Sequence, residues 1–293
     1  MEADKLSSMY KKINVDSFPA RIEIHFLDEN KKQTLLYEKV EWVLGGEKRG
    51  LRYGENPDQE AGLYKLVNGN LMLGKVTSIR PGKYLASDIE LLQSGKHPGK
   101  INITDVDTAL NILRYFTETP CTVIVKHNNP SGVARGDTLA ESYYKAYMAD
   151  RIAAFGGAIV VNRELDKETA ELIADSYSEV VAAPEFSGEV VELLSKKKDL
   201  RVMKIGNIEK LFDFVGERVV DAKSLIDGGI IFQWSFVPKV RKKSDFLPAK
   251  TEYQGQEYTV HRQPTEEEYE DMLFGWLVES GITSNSVIYV KNG

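Results

Sequence analysis

The run Cys121-Thr122-Val123-Ile124-Val125 is almost wholly apolar and β-branched, and it ends on Lys126 and His127. A half-exposed strand alternates polar and apolar residues, whereas a run with no polar face needs cover on both sides. A chain that contains it is therefore expected to build layers, with other elements packed on each face of a sheet. Asn128-Asn129-Pro130-Ser131-Gly132 follows, and its turn-forming residues read as the loop that leaves the strand. In an open α/β sheet, ligands collect at loops leaving the carboxyl ends of strands. Lys126 and His127 are thus the first candidates for a site. The competing reading is a strand that ends in two solvated polar residues.

The flanking pattern supports layers. Val106, Ala109, Leu110, Leu113 and Phe116 recur at helical spacing behind Asp105, a suitable N-cap. Thr138 with Glu141 forms a capping-box pattern ahead of the helix face Leu139, Tyr143, Ala146 and Tyr147. Short apolar strands are expected at 158–161, 180–183 and 201–205, separated by helices that start at Asp166 and near Ser187. Lys196, Lys197 and Lys198 close the second of these, where cations suit a helix carboxyl end. Strands alternating with helices at this spacing give an α/β layer on a mixed or mostly parallel sheet.

The ends of the chain read differently. Arg21 to Phe26 alternates as a half-buried strand, Glu29 to Lys32 offers a turn, and Gln33 to Leu44 continues as a second extended segment. Residues 1–50 are therefore an N-terminal extension with a hairpin, and Leu51 to Tyr64 is loop. Residues 236–263 are polar and irregular, an excursion or linker. Thr265 and Glu268 form a second capping box, for a helix with Tyr269, Met272, Leu273 and Trp276 inward, and Ser286 to Val290 reads as a last strand.

Composition removes several function classes. A net charge of −6 argues against a general nucleic-acid binder. One cysteine excludes an intrachain disulfide and, with four scattered histidines, leaves poor odds for a metal centre. No apolar run reaches membrane-spanning length, and Met1-Glu2-Ala3-Asp4-Lys5 does not open a signal peptide, so a cytoplasmic protein is expected. Walker A, Gly-x-Gly-x-x-Gly, His-Glu-x-x-His and Gly-x-Ser-x-Gly patterns are missing from the sequence.

Six segments occur in one order: Leu51-Arg52-Tyr53-Gly54-Glu55-Asn56-Pro57, Lys126-His127-x-Asn129-Pro130-x-Gly132, Phe155-Gly156-Gly157, Glu179 to Pro184, Gly228 to Gln233, and Ser284-Asn285-Ser286-Val287. Together they resemble the transformylase portion of the bifunctional AICAR transformylase/IMP cyclohydrolase family, from about Leu51 to the last residue. The resemblance implies a fold related to cytidine deaminases but without zinc, as the first half of the transformylase architecture. On that basis residues 51–235 are the nucleotide-binding α/β domain, and 264–293 are a helix and strand leading toward a second half that has no counterpart here. Fifty residues are too few for the cyclohydrolase domain that precedes this position in the family.

The implied reaction is formyl transfer from 10-formyltetrahydrofolate, as co-substrate, to the amine of AICAR in purine biosynthesis. That amine is a weak nucleophile, so a base and a fixed positive group near the oxyanion both help. The resemblance assigns proton transfer to His127 and charge stabilisation to Lys126. It also implies nucleotide contacts from Arg52, Tyr53, Gly156, Glu179 and Asn285. A guanidinium suits a phosphate because its planar fork binds two oxygens. The plainer alternatives are a surface salt bridge for Arg52, a tight turn for Gly156 and a solvated position for Glu179. Asp58 stands where the family usually has His, and Ser131 where it often has Cys or Ala. The family analogy also implies a homodimer and no metal. Two further readings stay open: a non-catalytic AICAR nucleotide binder, and one part of a split or truncated transformylase whose partner brings the folate half.

Overall fold

The structure, a computed structural model, describes residues 16–293 apart from residues 70, 78 and 79. The N-terminal pentapeptide on which the signal-peptide reading rests lies outside the described residues. The alternating segment forms β1 (Arg21–Asp28), which turns at Glu29-Asn30 into β2 (Lys31–Lys39). The expected hairpin is present. After the small hairpin of β3 (Trp42–Leu44) and β4 (Glu47–Arg49), β5 (Tyr64–Asn68) joins β2 as a third antiparallel strand. Another short hairpin, β6 (Met72–Leu73) with β7 (Val76–Thr77), follows.

The main layer begins with β8 (Glu90–Gln93) and α1 (Lys100–Leu113), then β9 (Cys121–Lys126) and β10 (Asn129–Arg135). Next come α2 (Leu139–Ala149), the single turn α3 (Arg151–Ala154), β11 (Ala158–Val161), α4 (Lys167–Ala174), β12 (Val180–Ala183), α5 (Gly188–Ser195) and β13 (Arg201–Lys204). The strands lie in the order β10-β9-β11-β12-β13-β8. Only the β11–β12 and β12–β13 pairs are parallel, so the sheet is mixed.

The two-faced burial read from the sequence is what the strands show. Val123, Val125, Ala158, Val160, Val180 and Ala182 face one core with Val106, Ala109, Leu110 and Leu113 of α1. Their neighbours Ile124, Ile159, Val161, Val181 and Ala183 face a second core with Leu139 and Tyr143 of α2, Ile173 of α4 and Leu194 of α5. Successive side chains on a strand point to opposite faces, so a run apolar at every position serves two cores at once. The expected N-caps form, since Thr138, Asp166 and Ser187 each accept a backbone N–H of the following turn, but the capping box expected at Thr138 is one-sided: Glu141 accepts the Asp137 N–H and not that of Thr138.

Beyond the sheet lie a 3-10 segment (Gly206–Phe214) and the hairpin of β14 (Val220–Ser224) with β15 (Ile230–Trp234). A further hairpin, β16 (Lys250–Tyr253) with β17 (Gln256–Thr259), follows. The last helix, α6 (Glu266–Glu279), opens on the reciprocal capping box of Thr265 and Glu268. No helix among the described residues is long and apolar enough to cross a membrane.

Several expectations need correction. Asp105 is no N-cap: α1 starts at Lys100, where Asn102 accepts the Gly99 N–H, and Asp105 lies buried within the helix. The turn after β9 is only His127-Asn128, both with positive φ (56° and 61°), while Asn129 to Gly132 belong to β10. Such a two-residue turn matches the twist of a hairpin, so the chain doubles back at once. The segment 236–263 is less irregular than expected, since β16 and β17 lie in it. On α6 the buried side is Phe274, Leu277 and Val278, whereas Met272 and Trp276 are largely exposed. Residues 286–290 form no strand among the described pairings: Ile288 and Val290 pack on the core, while Val287 and Tyr289 stand out in solvent. Periodicity reports which side chains are buried and cannot supply a ladder partner.

Candidate functional site

β9 runs antiparallel to β11, so its carboxyl end meets the amino ends of β11 and its parallel neighbours. Across this end of the sheet Val125 is paired with Ala158, Ala158 with Val180, and Val180 with Arg201. The residues one step outward are Lys126, Gly157 and Glu179, and the backbone N–H of Glu179 donates to Gly157 at 3.0 Å. Lys126 and Glu179 therefore share one rim. In this mixed sheet, the carboxyl-end rule places the candidate lysine, yet its companions come from strand beginnings.

Gly156 closes the rim. Its φ is +74°, and a Cβ there would stand 3.3 Å from Tyr177 Cε1 and 3.9 Å from Lys126 Nζ. Glycine is required by the backbone and keeps the space beside the lysine open. Lys126 Nζ donates to the Phe155 carbonyl and lies 6.0 Å from that ring's centroid. The ring of Phe155 in turn packs against Tyr177 at 5.1 Å. One carbonyl uses one of three ammonium donors, so the others are available to a bound group.

Helix α1 supplies the second wall. Asn102 Nδ2 donates to Glu179 Oε2 at 3.1 Å, and Asp105, one turn on, accepts the Asn128 N–H at 2.7 Å. The N–H groups at the tip of a two-residue hairpin have no ladder partner, so a buried carboxylate from the helix satisfies them. Burial pushes the Asp105 carboxyl up, opposed by its hydrogen bonds to the Asn128 and His127 backbone and by the charge of His127. His127 itself is exposed at the hairpin tip.

Arg52 and Tyr53 lie against the amino end of α1. Arg52 N–H donates to Pro98 at 2.8 Å, and Lys100 N–H donates to Tyr53 at 2.9 Å. Arg52 is 5% exposed; its guanidinium lies 4.3 Å over the Tyr53 ring, and its Nη2 donates to the phenol oxygen at 2.6 Å. An arginine at the positive end of a helix is a suitable place for a phosphate. A second cation lies deeper: Arg201 is 1% exposed and pairs with Glu179 Oε2 at 3.3 Å. Burial pulls its guanidinium down from the usual arginine value; Glu179 opposes this and the charge of Arg52 adds to it. Two arginines that feel one another, with Lys126 on the same rim, give a field that favours an anion.

Lys126, His127, Gly156, Glu179, Arg52 and Tyr53 are thus linked through α1 and the strand ends. Asn285 is not joined to them by a hydrogen bond: its Oδ1 accepts from the Ser284 hydroxyl at 2.7 Å, in a segment held to α6 through Ser286 and Glu279. Sequence reasoning missed Asn102, Tyr177 and Arg201, and read Asp105 as a cap. A three-residue spacing of Asn102 and Asp105 marks one helix face, and an arginine opening the apolar strand 201–205 is a polar group bound for burial. Among the described residues no cluster of three or more His, Cys, Asp or Glu side chains could hold a metal.

Residues 15–293 match the family model described as AICARFT/IMPCHase bienzyme. The chain is 36% identical over 242 residues to the "Bifunctional purine biosynthesis protein PurH" of Caldicellulosiruptor saccharolyticus, covering 83% of this chain and 41% of that protein. It is 35% identical over 283 residues to the protein of that name from Clostridium botulinum, strain Kyoto, covering 95% and 48%. The counterpart in Chlorobaculum parvum is 37% identical over 247 residues, covering 83% and 41%. The chain spans less than half the length of each of these relatives.

Proposed function

Because the chain belongs to the AICARFT/IMPCHase bienzyme family, we propose that it provides the nucleotide-holding part of an AICAR formyltransferase of purine biosynthesis. The observation that supports this reading is the gathering of Lys126, Gly156 and Glu179 at one rim of the sheet, with His127 at the adjoining hairpin tip and Arg52 at the amino end of the helix that contacts Glu179. Arg52 with the amino end of α1 suits the phosphate, and Glu179 suits a sugar hydroxyl. Gly156 lets the ligand lie close to the backbone.

In this reading the amine of AICAR attacks the formyl carbon of 10-formyltetrahydrofolate. A C–N bond forms, the carbonyl π pair moves to oxygen, and Lys126 faces the resulting oxyanion. His127 takes the amine proton as the bond forms. Collapse of the oxyanion then breaks the bond to the tetrahydrofolate nitrogen, which leaves with the proton that His127 took from the amine. Tyr53 and Asn285 are proposed as further nucleotide contacts, Asn285 being brought in on ligand binding. By the family analogy the protein is proposed to be a homodimer, which sedimentation would check.

Every group gathered here has a place on the nucleotide or at the reacting carbon, which leaves the pterin to be held elsewhere. Holding two substrates in attack geometry is a large share of catalysis. These 293 residues alone are therefore expected to bind AICAR monophosphate weakly in calorimetry and to transfer no formyl group. Supplying the remaining length of the relatives, in one chain or as a second, should restore transfer. Failure to bind the nucleotide would overturn the function. Robust turnover by the 293 residues would instead put the folate site in residues 1–50, in 236–263 or on a second copy.

A second expectation concerns Arg52. Arg52→Lys should weaken AICAR monophosphate roughly tenfold or more and leave the dephosphorylated nucleoside almost unchanged, because lysine lacks the bidentate fork. Equal weakening of both ligands in the same titration would mean that Arg52 supports the fold and does not read phosphate.

A further inference from the structure

The cation that holds Glu179 is not exposed to any ligand. Arg201 is 1% exposed, at the start of β13, and uses its fork in two directions. Nη1 donates to the Glu179 carbonyl and to Glu179 Oε2, each at 3.3 Å, while Nε and Nη2 both donate to the His97 carbonyl at 3.3 Å. His97 is itself buried with a left-handed backbone (φ 57°), and its Nε2 lies 2.6 Å from the Gly50 carbonyl, two residues before Arg52. One buried guanidinium thus ties the Glu179 end of the rim to the Arg52 end.

Glu179 shows why this matters. Its Oε2 accepts from both Asn102 of α1 and Arg201 of β13, while Oε1 accepts no hydrogen bond among the described residues. The side chain is 41% exposed. Two donors from separate elements hold the carboxylate by one oxygen and leave the other without a hydrogen bond among the described residues. A buried ion pair is weak support for stability, since an apolar side chain of similar volume often serves as well. An arginine in that place is better explained by what it orients.

Resting on the nucleotide reading above, we propose that Arg201 is the positioning residue that aims Glu179 at the ribose diol and so sets the site's preference for a ribonucleotide. Glu179 accepts the sugar hydroxyl at Oε1; Arg201 and Asn102, both on Oε2, hold that oxygen in place. A charge-assisted hydrogen bond is worth enough to separate hydroxylated from deoxygenated sugars roughly ten- to hundredfold.

The test is calorimetric titration of the 293-residue chain with AICAR monophosphate, its 2′,3′-dideoxy form and the unphosphorylated riboside. The unmodified chain should prefer the ribonucleotide to the dideoxy form roughly ten- to hundredfold. Arg201→Met should shrink this preference to about threefold or less while the preference for nucleotide over nucleoside persists. Arg201→Lys should fall between, and Glu179→Gln combined with Arg201→Met should be no worse than Glu179→Gln alone. Should Arg201→Met not fold, the lysine variant decides. An undiminished diol preference in a folded Arg201 variant overturns the proposal, as does its absence in the unmodified chain. Loss of all nucleotide binding in the unmodified chain would instead sink the nucleotide reading on which the proposal rests.

Discussion

Replacing His127 with asparagine is expected to cost formyl transfer about a hundred- to ten-thousandfold, the usual range for removal of a positioned acid or base. The choice of asparagine follows from the backbone. His127 occupies the first central position of the hairpin turn with φ 56°, a conformation that asparagine adopts readily and alanine does not. An alanine variant would mix lost chemistry with a strained turn, whereas asparagine keeps the turn and removes the imidazole. The measurement is kcat with AICAR and 10-formyltetrahydrofolate in a protein of the relatives' full length, beside the nucleotide Kd. Affinity should stay within about threefold, since His127 is exposed and the nucleotide contacts proposed above lie on other residues. An asparagine variant with ordinary turnover would remove His127 from the chemistry.

The second large effect is structural. Gly132 lies in β10 just past an irregularity in the β9 pairing, and an added Cβ would stand 1.9 Å from the Ala146 carbonyl oxygen of α2. That oxygen is helix backbone, so no side-chain rotation relieves the clash and α2 must move away from the strand. Gly132→Ala should therefore lower unfolding stability by roughly 3 kcal/mol, read as the shift of a urea midpoint at unchanged slope. A loss below about 0.5 kcal/mol, the level of an ordinary surface substitution, would show that α2 and β10 are not pressed together in this way. The same movement would reach the hairpin tip, because β10 carries the turn that presents His127.

Much of the fold was legible in the chain because its signals are local. Apolar runs at 121–125, 158–161 and 180–183 are strands that serve two cores, and the polar residues Thr138, Asp166, Ser187 and Thr265 cap helices where they should. Hydrophobic period and capping chemistry act over a few residues, so a sequence displays them directly. The candidates Lys126, His127, Arg52, Gly156 and Glu179 were likewise visible, through segments that resemble a known family and whose residue types suit the chemistry.

What the sequence could not display is anything settled by partners far along the chain. The alternating pattern of 286–290 is real, yet whether it becomes a strand depends on a neighbouring edge, and no such pairing forms among the described residues. Asp105 has the composition of a cap, and only the packing of α1 beside the β9–β10 turn makes it the acceptor of that turn's N–H. The direction of β9 against β11 decides that the rim gathers one strand's end and its neighbours' beginnings. The apolar strand that Arg201 opens signals its burial, but not its partners: only the closed sheet brings it to Glu179 and His97, 22 and 104 residues away. Local order is fixed by the backbone and its near neighbours. Charge pairing, burial and the meeting of distant carbonyls exist only once the layers have closed, and that is where this site is made.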